Sequence, residues 1–241
     1  MRYAVLSDVH GNIEALEAAF ARIRNDDDVL CLGDMVGYGP NPNECVDLLR
    51  ARVSAAVLGN HDVAAIDNFG LNYFNPAARD ALKWTQGVLS AENRAWLDGL
   101  GYEYRRPEFL LVHGAPVHYF EYILDKAGAA RAFAATDARL IFIGHTHIAE
   151  IYALAQDGTI EHLHLQHGGE VPLVDGVRYL INVGSIGQPR DLNPQASFGF
   201  YDPDAGSVRI ERVDYPIARV QEKIASAHLP DALARRLVVG R

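Results

Sequence analysis

The chain has 241 residues, 49% of them hydrophobic and 22% charged, a length and composition that suit one globular domain over residues 1–241. Acidic residues outnumber Lys and Arg by 31 to 22, so we expect no binding of long nucleic acid. Two cysteines and no disulfide pattern favour a reducing, cytoplasmic location. No apolar stretch is long enough for a transmembrane helix, and the first apolar run is too short for a signal peptide.

The first hundred residues alternate between strand and helix patterns. Short apolar runs predict buried strands, and apolar residues at helical spacing predict helices, with Ser90 as an N-cap. The predicted strands are residues 3–7, 29–32 and 53–58, and the predicted helices are residues 13–23, 43–51, 76–89 and 91–97. This order indicates a sheet covered by helices.

The second half is richer in strands. The predicted strands are residues 109–113, 140–143, 150–155, 159–166, 178–183, 198–201 and 208–213, and the predicted helices are residues 126–135, 217–227 and 230–237. Asp157-Gly158 predicts a tight hairpin turn. No linker or repeat marks the change in character, so we expect two sheets packed together in one domain.

Five polar segments each follow an apolar strand pattern. They are Asp8-Val9-His10, Gly33-Asp34, Gly59-Asn60-His61-Asp62, His113-Gly114 and Gly144-His145-Thr146-His147. Ligands bind at the carboxyl ends of strands in open α/β sheets, so the five segments are expected to converge on one crevice.

The residue types in these segments indicate a metal site. Carboxylate, imidazole and amide groups without thiolate suit Mn, Fe, Zn or Ni. In a strict strand, Asp8 and His10 would share a face, as would His145 and His147, so each pair could direct two ligands into one pocket.

The ordered set of motifs resembles the signature of the calcineurin-like metallophosphoesterase family, and residues 182–190 resemble small bacterial members. The resemblance implies a metallo-dependent phosphatase fold, an α/β four-layer sandwich of two mixed β-sheets flanked by helices. It also implies a hydrolase of phosphate esters that uses two divalent metal ions and an activated hydroxide, without a phosphoenzyme.

The resemblance further implies a role for each motif residue. Asp8, His10 and His147 would hold one ion, Asn60, His113 and His145 the other, and Asp34 would bridge the two. His61 would act at the leaving group as a catalytic residue rather than as a ligand. Asn60 would also contact substrate.

One departure from the family's protein serine/threonine phosphatases bears on the substrate. Gly37 and Tyr38 stand where those enzymes carry an Asp-Arg pair that orients the catalytic histidine and grips phosphate. Asp62 is a candidate to orient His61, with a helix cap as its alternative. Arg190 is a candidate phosphate ligand, with a structural salt bridge as its alternative.

The absence of that arginine favours a phosphodiesterase acting on a small phosphorylated substrate. A phosphatase of phosphoproteins or nucleotides, a nuclease with a local basic groove, and a non-catalytic scaffold are the alternatives. The complete set of motif residues argues against the scaffold. The sequence does not choose among the metals, manganese included, or define the oligomeric state.

Two further clusters have structural interpretations. The aromatic residues Phe69, Tyr73 and Phe74 are expected to pack beneath a helical cap rather than line a substrate pocket. His162 and His164 alternate on a predicted strand, and with His167 they form a histidine-rich patch. We expect that patch to be a solvated strand face rather than a metal site.

Overall fold

The computed structural model describes residues 1–241 and contains two six-stranded mixed sheets with helices on their outer faces. The strands are β1 (Tyr3–Leu6), β2 (Asp28–Cys31), β3 (Val53–Ala56), β4 (Glu103–Arg105), β5 (Phe109–Val112), β6 (Leu140–Ile143), β7 (Ala149–Leu154), β8 (Ile160–His164), β9 (Gly169–Pro172), β10 (Arg178–Val183), β11 (Ala196–Asp202) and β12 (Ser207–Val213).

Eight α-helices and one 3₁₀ turn accompany the strands. The helices are α1 (Ile13–Phe20), α2 (Pro42–Arg52), α3 (Asn60–Asp67), α4 (Pro76–Val88), α5 (Ala91–Asp98), α6 (Lys126–Ala134), α7 (Ile217–Ser226) and α8 (Asp231–Leu237), and the 3₁₀ turn is Leu71–Tyr73. Ser90 caps α5 as expected, since its hydroxyl accepts a hydrogen bond from the Asn93 amide.

The first sheet has the strand order β3-β2-β1-β11-β12-β9, and the second has the order β4-β5-β6-β10-β7-β8. Strands β1, β2 and β3 pair in parallel, as do β5, β6 and β10, whereas the remaining pairs are antiparallel. The parallel part of each sheet therefore presents several strand carboxyl ends at one edge, where the polar motifs begin.

Alternation along the strands explains the four layers. In β1, Tyr3 and Val5 pack in the core between the sheets, while Ala4 and Leu6 pack in a larger core beneath helices. The central strands of the second sheet behave likewise, contributing one set of residues to the inter-sheet core and the other to a core beneath α6. Side chains with a period of two must face opposite sides of a sheet, so each buried strand supplies two cores. The expected sandwich of two mixed sheets flanked by helices is confirmed.

Several element bounds differ from the prediction. Strands β4 and β9 were missed because they are short and partly exposed, so they lack a clear apolar run. The third strand ends at Ala56 rather than at residue 58. The predicted hairpin turn is present, with Gly158 at φ 87° between β7 and β8. Both cysteines are free and buried.

Candidate metal centre

The polar motif residues lie just beyond the ends of the parallel strands, where the backbone turns sharply. Five of them have left-handed backbone conformations, namely Asp8 (φ 52°), His10 (φ 50°), Asp34 (φ 52°), His145 (φ 67°) and His147 (φ 62°). Non-glycine residues rarely adopt this region, and such strain concentrates at functional sites. The expectation that Asp8 and His10, and likewise His145 and His147, share a face of a strand was therefore wrong, because the strands end at Leu6 and Ile143. The paired side chains converge because the backbone leaves the strand, not because it continues in it.

One group of side chains surrounds the carboxylates of Asp8 and Asp34. His147 Nε2 lies 3.3 Å from Asp8 Oδ1, and His10 Nε2 lies 3.6 Å from Asp34 Oδ2. The two imidazole Nε2 atoms are 3.2 Å apart. These four residues each direct one potential ligand atom into a shared space, at separations suited to a single bound ion.

A second group shares Asp34 with the first. His113 Nε2 lies 3.3 Å from Asp34 Oδ2 and 3.0 Å from His145 Nδ1. Asp34, His113 and His145 form a compact set of possible ligands. Because Asp34 belongs to both groups, its carboxylate lies where it could bridge two ions.

Each of the four histidines in these two groups uses one ring nitrogen as a potential metal ligand and hydrogen-bonds through the other to a backbone carbonyl oxygen. These contacts are His10 Nδ1 to Val36 at 3.1 Å, His113 Nδ1 to Leu32 at 2.8 Å, His147 Nδ1 to Gln188 at 2.6 Å and His145 Nε2 to Phe120 at 3.0 Å. A carbonyl accepts only from a protonated nitrogen, which fixes the tautomer and leaves the inward nitrogen lone pair free for a metal.

Asn60 provides an independent test of the fit to a metal. Its Oδ1 atom is buried and has no hydrogen-bond partner in the protein. Buried acceptors are normally paired, so an unpaired amide oxygen beside carboxylates and imidazoles is suited to ligate a cation. The residues present therefore fit a site for divalent metal.

The electrostatics of the site are those of a buried anion surrounded by imidazoles. Burial lowers the pKa of His145 to about 3 and holds the pKa values of His10 and His147 well below their usual range. Burial also acts to lower the pKa of His113, but the carboxylates of Asp34 and Asp8 outweigh it and raise that pKa to about 9. The neutral imidazoles are in the form that binds metal.

His61 lies beside this centre but belongs to neither group of ligand atoms. Its ring packs 4.7 Å from the ring of His10, 4.4 Å from that of Tyr38 and 4.7 Å from that of Phe74, measured between centroids. Its Nδ1 atom is buried without a partner, and burial lowers its pKa to about 4. The backbone amide of His61 donates to Asp34 Oδ1 at 2.8 Å, which ties the start of α3 to the centre.

Asp62 does not contact the His61 ring by a hydrogen bond, contrary to the suggested orienting role. Its carboxylate accepts from three backbone amides, those of Gly59 at 3.0 Å, Met35 at 2.9 Å and Val36 at 3.2 Å. The side chain therefore caps the first turn of α3 and fastens it to the loop after β2. These contacts agree with the alternative interpretation of Asp62 as a helix cap.

Arg190 approaches the centre from the loop after β10. Its Nη2 atom donates to the Tyr38 hydroxyl and to Gln188 Oε1, both at 3.2 Å. Its Nε atom is buried without a partner. It forms no salt bridge with an acidic side chain, so its charge is available near the metal centre, where it lowers the pKa of His61 and His147 after the larger effect of burial.

A cavity of about 340 Å³ opens beside His61, Asn60 and His145. Its remaining walls are largely aromatic, formed by Tyr38, Phe69, Tyr73, Phe74, Phe120 and Tyr122. Phe69 is 64% exposed and Tyr73 95% exposed, so the expectation that they pack beneath a cap was wrong. These side chains line an open pocket because Leu71–Tyr73 forms a turn between α3 and α4 and buries none of its residues.

The sequence reasoning missed Phe120 and Tyr122. The Tyr122 ring stacks on His145 with centroids 3.8 Å apart, and the Phe120 carbonyl orients the same histidine. The only available signal was their position after the strand that ends at His113, in a segment without helical or strand periodicity. Loops of that kind often carry binding residues.

Comparisons with known proteins agree with this geometry. The profile of the calcineurin-like phosphoesterase superfamily domain matches residues 1–206. The uncharacterised protein MJ0912 of Methanocaldococcus jannaschii is 38% identical over 246 aligned positions, covering 99% of this chain and 98% of the relative. A crystal structure of a metallophosphoesterase from Sphaerobacter thermophilus is 41% identical, covers 100% of this chain and 99% of the other, and superposes with a TM-score of 0.88.

A more distant structure, the hypothetical protein PH1004 of Pyrococcus horikoshii, has a TM-score of 0.80 at 20% identity, with 100% and 98% of the two chains covered. That likeness supports the fold alone. Together with the two closer matches, the site defines a metal-dependent hydrolase of phosphate esters. The chain belongs to the calcineurin-like phosphoesterase superfamily.

None of the helices combines the length and apolar character needed to cross a lipid bilayer.

Proposed function

We propose that this protein hydrolyses small phosphodiesters at a centre of two divalent metal ions. Asp8, His10 and His147 would hold one ion, Asn60, His113 and His145 would hold the other, and Asp34 would serve both. The observation that carries the proposal is the pair of overlapping ligand groups that share the Asp34 carboxylate. The orphaned Asn60 oxygen supports the assignment of the second ion.

The bound ions supply positive charge for the phosphoryl oxygens and lower the pKa of an attacking water. The protein holds the ligands in place through the carbonyl contacts of the four histidines. His61 donates a hydrogen bond to the departing oxygen, since its side chain lines the cavity. Asp62 acts as a positioning residue by fastening the helix turn that carries Asn60 and His61.

The lack of an arginine clamp at Gly37 and Tyr38 favours a diester over a monoester as the substrate. A monoester dianion gains most from a bidentate arginine clamp, whereas a diester has one charge and one fewer anionic oxygen. Gly37 and Tyr38 provide no such clamp. Arg190 offers one guanidinium beside the metal centre, which we assign to binding of one non-bridging phosphoryl oxygen.

The aromatic cavity supports a small organic substrate with a flat apolar group. Faces of Tyr and Phe rings stack on planar groups and give apolar contact without requiring a specific hydrogen bond. The cavity of about 340 Å³ is in the usual size range for small-molecule sites. The substrate would place its phosphate toward Asn60 and His61 and its planar group toward Phe69 and Tyr73.

A phosphatase of monoesters is the second candidate, and the position of Arg190 favours it. The guanidinium lies close enough to His61 and His147 to affect the pKa of both. Its unpaired Nε atom could join Nη2 in gripping a monoester dianion if the side chain left Tyr38.

Hydrolysis of bis-p-nitrophenyl phosphate and p-nitrophenyl phosphate distinguishes these functions. The protein is freed of metal and then assayed with Mn, Ni, Zn, Fe or Mg. We expect metal-restored cleavage with a higher kcat/KM for the diester. A higher value for the monoester would replace the diesterase by the phosphatase, and no turnover of either with any metal would contradict both.

A further inference from the structure

A second cluster of metal-ligating side chains lies on the hairpin of β7 and β8. Glu150 and His164 face each other across the two strands, and His162 lies opposite Tyr152 in the next pair on the same face. His162 Nε2 is 2.7 Å from Glu150 Oε2, and His164 Nδ1 is 3.7 Å from the same oxygen. The patch is therefore not the fully solvated strand face that the sequence suggested.

The carboxylate at the centre of this cluster is buried and lacks a permanent cation. The Glu150 side chain is 4% exposed, and its ion pairs are with the two histidines alone. Burial raises the pKa of Glu150 to about 7, although His164 opposes the rise. Lys126 lies near enough to lower the pKa of His162 after the larger effect of burial, but it forms no ion pair with Glu150. A buried carboxylate of this kind is costly unless a cation compensates it.

The surrounding rings hold the two imidazoles in place. Tyr152 stacks on His162 with centroids 4.1 Å apart and planes 15° apart, and His164 lies 4.2 Å from His162 on a tilted plane. His164 has a side chain 67% exposed, so an ion could enter from solvent on that side.

We propose that Glu150, His162 and His164 bind one divalent transition-metal ion. Two imidazoles and one carboxylate suit zinc, cobalt or nickel, with a fourth position left for water. Their ligand atoms all lie within 4.8 Å of one another. Ligands of a tetrahedral ion at about 2.0–2.1 Å stand roughly 3.3 Å apart, which is between the 2.7 Å and 3.7 Å distances observed around Glu150 Oε2.

This site shares no residue with the catalytic centre. Glu150 follows His147 by three positions, but its side chain belongs to the outer face of the second sheet, where Tyr152 packs in the core beneath α6. Binding of an ion would join β7 to β8 through side chains as well as through their backbone ladder.

The test counts ions bound to the purified full chain. The central sites are first saturated with manganese, excess cobalt or zinc is added with manganese still present, and bound metal is measured by equilibrium dialysis and elemental analysis. Cobalt also gives the visible absorption of a tetrahedral site. We expect one ion of cobalt or zinc per chain in the wild type, beyond any that exchanges into the centre, and its loss in His164→Ala and Glu150→Gln.

His167→Ala is the matched control, because His167 is an exposed histidine of the adjacent loop outside the cluster. It should retain the extra ion. His164 is exposed, so His164→Ala should remain folded even if Glu150→Gln does not. An unchanged ion count in His164→Ala, or no extra ion in the wild type, would overturn the proposal.

An Asp34→Ala variant separates this site from the catalytic one. It should lose ions of the centre and retain the cobalt absorption of the hairpin site, and that absorption should then be abolished by adding His164→Ala. Cobalt absorption that disappears with Asp34→Ala alone would assign the signal to the centre and contradict a separate site.

Discussion

Individual residues of the centre are held in conformations that the rest of the molecule must stabilise. The left-handed backbone of Asp8, His10, Asp34, His145 and His147 costs of order 1–3 kcal/mol at each position. Glycine would adopt the same conformation without strain, yet it would offer no ligand atom. Packing of the strand ends must offset this strain, and bound metal would add to the compensation.

We expect substitutions of His61 and Asp34 to have different effects on metal binding and on turnover. His61→Ala should retain the metal ions and lower kcat by roughly two to four orders of magnitude, since general acid catalysis contributes about that much. Asp34→Ala should lose both metal binding and hydrolysis, because one carboxylate serves both ligand groups. Elemental analysis and kinetics on the same samples measure the two effects. Loss of metal from His61→Ala would show that His61 is itself a ligand.

Glu150→Gln should change the pH dependence of stability in the metal-free protein. The folded-state pKa of Glu150 is about 7, above the ordinary value of 4.5. The folded state then binds more protons than the unfolded state between these values, so this carboxyl makes stability fall as pH rises from about 4.5 to 7. The free energy of unfolding of the variant should match that of the wild type at low pH and exceed it by roughly 1–3 kcal/mol above pH 7. Urea unfolding at several pH values measures the difference, and a pH-independent difference would contradict the raised pKa.

At the scale of elements, helix α3 connects the chemistry to the first sheet. Its first turn carries Asn60 and His61, and Asp62 fastens that turn to the amides after β2. Gly33 permits the close approach, because a Cβ there would lie 2.3 Å from the Gly59 nitrogen. The motifs Gly33-Asp34 and Gly59-Asn60-His61-Asp62 therefore form one structural unit.

Asp62→Ala should destabilise the protein by roughly 3–5 kcal/mol, because it leaves three buried amides without acceptors. It should also weaken binding of the ion held by Asn60 before that of the other ion. Denaturant unfolding and metal titration measure both effects. Asp47→Ala is the control, since Asp47 is an exposed acidic residue of α2. A variant of normal stability and altered kcat alone would instead favour direct action of Asp62 on His61.

The exposed turn between α3 and α4 should determine substrate preference. Phe69→Ala combined with Tyr73→Ala should raise KM for bis-p-nitrophenyl phosphate by about 3- to 10-fold, in line with about 0.5–1.5 kcal/mol for an aromatic contact. The rise should be smaller for methyl p-nitrophenyl phosphate, which has one ring fewer. Val174→Ala, at a similarly exposed site outside the cavity, serves as the control. Equal effects on both substrates would argue against ring stacking.

At the scale of the whole molecule, the centre lies where both sheets end. Asp8, Asp34 and Asn60 come from the first sheet, and His113, His145 and His147 come from the second. Ions bound by these residues would therefore cross-link the two sheets at one edge, in addition to the apolar core between them.

Removal of metal should lower the thermal midpoint, and readdition should restore it. An ion at 100 times its Kd stabilises the folded state by about 2.7 kcal/mol. Differential scanning fluorimetry with chelator and then with manganese measures the change. The Asp34→Ala protein should show little of this rise. A wild-type midpoint that does not respond to metal would contradict cross-linking of the sheets by bound ions.

Most of the fold was predictable because its strands are apolar runs bounded by polar motifs. Strands such as β5 and β6 are buried on both faces, so they are visible as continuous hydrophobic segments. Strands β4 and β9 lie at sheet edges with exposed residues, so their pattern resembles that of a loop. The existence of two sheets came from the family resemblance, and the order of the strands in each sheet came from the structure, since periodicity does not specify strand pairing.

The sequence by itself determined the family, the sandwich fold and the residue types of a divalent-metal site, because these depend on short motifs adjacent to buried strands. Only the tertiary structure decided what each side chain contacts. It placed Asp62 on backbone amides, exposed Phe69 and Tyr73 in the cavity, and brought Glu150 beneath His162. These outcomes depend on backbone turns and on pairing between distant segments, which local residue patterns do not encode.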